Sequence, residues 1–239
     1  MKATVVVHTE SDSANASTAR AFGILGGTFD PVHAGHLALA HEARTVLGLD
    51  HVLFVPNADP PHKLAADVTP AIHREAMVAR AIEAEPAFVL SRLELERPGP
   101  SYAVDTVAEL AERSRAEGRP EPWFILSAEV LDDLDTWREP LRILDLCRMA
   151  VAPRPGAGRL DRAWLTDHYP GREDRFRLLP GPQLDITATD IRERVRRGLP
   201  IADLVPRPVA EYIRDHGLYG TLAHGHPVGR AASAQETPS

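Results

Sequence analysis

Short apolar runs alternate along the chain with longer segments in which apolar positions recur every three or four residues. The runs at 22–25, 52–56, 88–91, 123–126, 149–152 and 176–179 are short and bounded by polar or turn-forming residues, which predicts buried strands. Between and after them, the helical period predicts helices over about 35–47, 70–84, 103–116, 139–146, 160–167, 188–197 and 207–215. Strands that alternate with helices in this way imply an α/β fold, a doubly wound parallel sheet with helices on both faces. In such sheets ligands bind beyond the carboxyl ends of the strands, where the winding reverses. Residues 8–20 are small and polar without periodicity, and the stretch after Tyr219 is rich in Gly, Ala, Pro and Ser. A flexible leader over 1–20, one domain over 21–219 and a flexible tail over 220–239 are therefore expected. No repeat and no linker-like stretch interrupts 21–219.

Two strings carry the candidate chemistry. The first, Gly27-Thr28-Phe29-Asp30-Pro31-Val32-His33-Ala34-Gly35-His36, joins the first predicted strand to the first predicted helix. A strand, a glycine turn and a helix start bring backbone amides close to a phosphate. His33 and His36, three apart at that helix start, share one face and can donate to phosphate oxygens. The second string is Ile186-Thr187-Ala188-Thr189-Asp190-Ile191-Arg192. Thr187 with Asp190 three later reads as a helix N-terminus, with Gly198 at its end. The hydroxyls of Thr187 and Thr189 and the Arg192 guanidinium are suited to the same anion. Arg194, Arg196 and Arg197 read as a solvated face. In the 99–106 segment Ser101 reads as the N-cap of the helix at 103, with Asp105 in its first turn.

Gly26-Gly27-Thr28-Phe29-Asp30-Pro31 with His33-Ala34-Gly35-His36 resembles the signature of the nucleotidylyltransferase superfamily. Within it, the chain is similar to bacterial nicotinate-nucleotide adenylyltransferases from about Phe22 to Tyr219. The resemblance implies a Rossmann-like nucleotidylyltransferase domain that joins ATP and nicotinate mononucleotide, giving deamido-NAD and pyrophosphate. It places Gly26, Gly27, Thr28, Phe29, His33, Gly35, His36, Thr187, Thr189 and Arg192 at ATP, and makes His33, His36, Lys63 and Arg192 the catalytic set. Lys63, in Pro60-Pro61-His62-Lys63, would also meet the acceptor. Tyr102 and Thr106 with local amides, Ser127, Glu129 and Trp137 would line the nicotinate mononucleotide site, with Trp137 stacked on the pyridine ring. Magnesium would travel mainly on the ATP phosphates, with no dedicated protein ligands. One departure stands out: Ser127-Ala128-Glu129 replaces the usual Gly-x-Asp after the fourth strand. A reshaped ribose or nicotinate contact is expected there.

Composition narrows the reading. The net charge of −7 argues against bulk nucleic-acid binding but not against a small anionic substrate. No apolar run approaches a membrane span, so no membrane partner is expected. The single cysteine, Cys147, excludes an internal disulfide, reads as buried filler and fits a cytoplasmic location. Of 27 basic residues only Lys2 and Lys63 are lysine. Nicotinamide mononucleotide or phosphopantetheine as acceptor, and a nucleotide sensor that has lost catalysis, stay open as alternatives. A tRNA synthetase fragment fits neither the length nor the charge. Homo-oligomerisation is left open.

Overall fold

The computed structural model describes residues 19–59, 68–153, 161–181 and 184–220. Six strands, β1 (Gly23–Gly27), β2 (Val52–Pro56), β3 (Phe88–Leu90), β4 (Trp123–Ser127), β5 (Arg148–Ala152) and β6 (Phe176–Leu178), form one sheet in the order β3-β2-β1-β4-β5-β6. Every pairing is parallel. The connecting helices are α1 (Ala34–Leu47), α2 (Ala71–Ile82), α3 (Leu93–Glu96), α4 (Ala103–Ala116), α5 (Ala128–Asp132), α6 (Pro140–Leu146) and α7 (Arg162–His168), and α8 (Ala188–Arg196) and α9 (Arg207–Asp215) close the chain. Each expected strand and long helix is present, with shifted ends. The short α3 and α5 were not expected, because neither is long enough to display a helical period. The expected leader and tail fall almost wholly outside the described residues.

The period-2 pleat of the strands explains why both faces of the sheet are apolar. Leu25, Phe54 and Ile125 point into one core with Leu39 and Ala43 of α1, Met77 and Val78 of α2, and Ile191 of α8. Their sequence neighbours Ile24, Val55, Phe124 and Leu126 point into the other, with Val104 and Val107 of α4 and Ile143 of α6. In α9, Val209, Tyr212 and Ile213, at i, i+3 and i+4, are all buried on the first face. Cys147 is buried as expected; its thiol donates to the Ile143 carbonyl, and burial pushes it up to about 12. At the sheet centre Gly23 has no room for a side chain, since a Cβ would lie 2.6 Å from Ile125 Cδ1.

One feature of the register makes the site. Strand β1 pairs with β2 along its whole length, to Gly27↔Pro56, but with β4 only at Gly23↔Trp123 and Ile24↔Phe124. Beyond those pairs the carboxyl ends of β1 and β4 part. The winding also reverses between these strands, so the parting opens a crevice at the switch point of the sheet. Among the described residues, no helix is long and apolar enough to cross a membrane.

Candidate active site

A cavity of about 490 Å³ fills that crevice. Its floor is the end of β1, Gly26, Gly27 and Thr28, followed by His33, Gly35 and His36 at the start of α1. His33 is the N-cap of α1 in an extended conformation, so the two imidazoles lie against each other with ring centroids 3.7 Å apart. His36 Nδ1 accepts a hydrogen bond from the His33 backbone N–H at 3.2 Å. That bond leaves Nε2 to carry the ring proton of the neutral form. Burial first, and the neighbouring His33 second, hold His36 well below the usual histidine pKa. It is therefore a neutral N–H donor at neutral pH.

Phe29, expected at ATP, packs behind the floor of the cavity. Its backbone has φ 50°, and its ring is buried against the edge of His36, with centroids 5.0 Å apart. It props up the floor from below and does not line the cavity. Gly35 has a separate reason to be glycine: a Cβ there would sit 3.0 Å from His33 Nδ1.

The wall on the α1 side comes from the N-terminus of α8. Thr187 caps that helix as expected, its Oγ1 accepting the Asp190 N–H at 3.0 Å. Thr187 and Ala188 line the cavity beside the apolar Leu184 and Ile186. Thr189 and Arg192 do not line it. Arg192 Nη1 donates to the Asp30 carbonyl at 2.8 Å, and its Nη2 donates to Thr189 Oγ1 at 3.2 Å. The guanidinium thus ties α8 to the loop between β1 and α1, next to the wall.

The opposite wall belongs to the other face of the sheet. Tyr102, Trp137, Phe124 and Val130 give it aromatic and apolar surface, with Ser127 and Glu129 at the end of β4 and the start of α5. Trp137 meets Phe124 edge-on, centroids 5.7 Å apart, and Arg138 lies over the Tyr102 ring. Thr106 departs from expectation. It is 1% exposed and absent from the cavity wall, and its Oγ1 donates to Glu94 Oε1 at 2.7 Å and accepts from Arg97 Nη1 at 3.0 Å. Ser101 is not a helix cap either. Tyr102 holds that position, and the Ser101 hydroxyl accepts the Ala58 N–H at 3.0 Å. Lys63 lies outside the described residues.

Several supporting residues were not anticipated. Arg74 of α2 is 1% exposed and donates to the carbonyls of Thr28 (2.9 Å), Ala58 (3.1 Å) and Thr69 (2.8 Å) and to Asn57 Oδ1 (3.2 Å). It binds the loops after β1 and β2 together. Asp30, also buried, accepts from the Tyr219 hydroxyl at 2.6 Å and from the Thr69 N–H at 3.0 Å. Burial, followed by the Asp30 charge, pushes the Tyr219 phenol pKa upward, so it stays a donor. Tyr219 thus anchors the loop between β1 and α1. The signal for Arg74 was available: it shares a stripe with Met77, Val78 and Ala81, at i+3, i+4 and i+7, where a cation is out of place. Glu94 sits in Leu93-Glu94-Leu95-Glu96, which carries no comparable signal.

Sheet order, crevice and donor set define a nucleotide-binding α/β protein of the doubly wound class. Comparison with known proteins agrees. The cytidylyltransferase-like family matches residues 24–194. A protein of Roseiflexus sp. (strain RS-1), named "Probable nicotinate-nucleotide adenylyltransferase", is 45% identical over 197 residues, 82% of this chain and 96% of its own. A Thermomicrobium roseum protein of the same name is 43% identical over 200 residues, 84% of this chain and 92% of its own. Among solved structures, the Plasmodium falciparum nicotinic acid mononucleotide adenylyltransferase complexed with NaAD superposes with a TM-score of 0.68 at 17% identity, over 84% of this chain and 97% of that one. The chain belongs to the cytidylyltransferase-like family and, within it, to the nicotinate-nucleotide adenylyltransferases.

Proposed function

We propose that this chain transfers the adenylyl group of ATP to the phosphate of nicotinate mononucleotide, forming deamido-NAD and releasing pyrophosphate in NAD biosynthesis. The observation that carries the reading is the crevice between β1 and β4, which joins a donor-rich floor to an aromatic wall on the opposite face of the sheet. ATP would lie over the floor and the α8 N-terminus, and the pyridine ring against Trp137 and Tyr102. An indole beside an electron-poor ring is favourable by about 0.5–1.5 kcal/mol, the range for aromatic pairs.

The acceptor phosphate is already ionised near neutrality, so no protein base is needed. One of its oxygens bonds to the α-phosphorus as the bond from that phosphorus to the bridging oxygen breaks, and the electron pair leaves with pyrophosphate. The task of the protein is alignment and charge stabilisation. His36 would donate its Nε2 proton to an α-phosphate oxygen as a neutral hydrogen-bond donor, with His33 beside it. Thr28 and Thr187 would orient phosphates, and Arg192, with Thr189, would supply positive charge from the edge of the wall. Lys63 would add an ammonium, as the family resemblance implies. The floor is built of N–H and O–H donors, which suits phosphate oxygens better than a cation. Magnesium would therefore arrive held by the phosphates of ATP, where it offsets the charge of the departing pyrophosphate.

A cytoplasmic location belongs to the same proposal; the buried thiol of Cys147 asks for no oxidising compartment. The test is the initial rate of pyrophosphate release with ATP and, in turn, nicotinate mononucleotide, nicotinamide mononucleotide and phosphopantetheine. The expected order puts nicotinate mononucleotide first. A faster rate with either rival reassigns the acceptor, and no rate with any of them favours a nucleotide sensor.

A further inference from the structure

Glu94 has no part in the mechanism above, yet its side chain faces the cavity at the acceptor end while the residue is only 7% exposed. A carboxylate buried beside a site for an anionic substrate requires a reason. Its partners supply one. Oε1 accepts the Thr106 hydroxyl at 2.7 Å, and the Ser101 hydroxyl helps to offset the burial of this carboxyl. Thr106 is itself held by Arg97, which reaches on to Glu109 at 2.9 Å. On the other side, Ser101 Oγ accepts the Ala58 N–H and the Ser101 N–H donates to the Asp59 carbonyl, both at 3.0 Å. The Ala58 carbonyl is then bound by Arg74, which also holds the carbonyl of Thr28. Glu94 therefore stands between two hydrogen-bonded groups, one reaching α4 through Thr106 and the other reaching the loop after β2 through Ser101. Glu94 lines the cavity together with the Ser101–Ala103 wall. Burial pushes its carboxyl above the usual carboxylate range, against the pull of Thr106, Ser101 and Arg97.

We propose that Glu94 is a positioning residue for the acceptor: by holding Ser101 and Thr106 together it sets where the nucleotide base on the Tyr102–Trp137 wall lies relative to the phosphate floor. The proposal rests on the adenylyl-transfer reading. It is tested by steady-state kinetics of Glu94→Ala and Glu94→Gln with ATP and nicotinate mononucleotide each varied. Glu94→Ala is expected to raise KM for the acceptor by roughly 10- to 100-fold, the scale for losing hydrogen bonds to a charged group, with KM for ATP unchanged. Glu94→Gln can still accept from Thr106 and can donate to Ser101 Oγ, so it should recover most of that loss. An unchanged acceptor KM in Glu94→Ala overturns the proposal, as does an equal rise in both KM values or a Gln variant no better than Ala. Should Glu94→Ala fail to fold, Thr106→Val removes one arm of the same clamp from behind the wall. It should shift acceptor KM in the same direction by less, and no shift overturns the proposal. Calorimetric titration with nicotinate mononucleotide alone separates the two readings. Wild-type protein that binds it without turnover overturns the reaction, while the affinity lost in Glu94→Ala still decides the role of Glu94.

Discussion

At the scale of single residues, the histidine pair is the most specific feature. The sequence places His33 and His36 on one face, but not their protonation, which depends on contacts that only the fold provides. His36 accepts from the His33 N–H and is held neutral by burial, so its contribution is one preorganised N–H and not a positive charge. His36→Ala should keep the fold and lower turnover by roughly 10²–10³, the scale for losing one preorganised donor. His36→Gln, which retains an N–H, should recover part of that loss, as measured by pyrophosphate release. Normal turnover in His36→Ala would remove this residue from the chemistry. Thr106 shows the opposite limit. Its place in the motif suggested a ligand contact, yet with Leu110 at i+4 and Ser114 at i+8 it lies on the buried stripe of α4, beside Val107. The helical period alone points Thr106 inward.

Among elements, the legible parts were those governed by local rules. Apolar runs marked all six strands, and Thr187 marked the start of α8 because a cap is a contact over three residues. Ser101 looked like the same kind of cap and is not, because its hydroxyl is claimed by Ala58, 43 residues away. No local rule foresees such a contact. Arg74 has the same character: one side chain of α2 satisfies acceptors on the loops after β1 and β2. Arg74→Met preserves bulk but strands those buried acceptors. It should cost about 3 kcal/mol or more, since each buried acceptor left unsatisfied costs about 1–3 kcal/mol. Chemical denaturation of the two proteins measures it, and a change below experimental error would mean that the loops hold their own shape. Arg74→Lys, with a single ammonium in place of a planar fork, should restore only part of the stability.

For the whole molecule, the decisive feature is where β1 and β4 stop pairing. The parallel sheet follows from the α/β alternation, but neither its strand order nor the register between residues a hundred apart does. That register leaves Gly26 and Gly27 facing Leu126 and Ser127 across a gap, which no pattern of apolar residues announces. The gap connects the two faces of the sheet, so one face can hold the nucleoside triphosphate and the other the pyridine nucleotide. Ser127 and Glu129, the departure from the usual Gly-x-Asp, lie on this gap. In the proposed reaction an acceptor sugar would pass there, away from the phosphate floor.

Product analysis is the most direct test of the claim that both substrates meet in this crevice. Purified protein is incubated with ATP, Mg2+ and nicotinate mononucleotide, and the nucleotides are separated and weighed by mass spectrometry. The expected result is deamido-NAD and pyrophosphate in equal amounts. Pyrophosphate without the dinucleotide, or ATP left intact beside the acceptor, would contradict it.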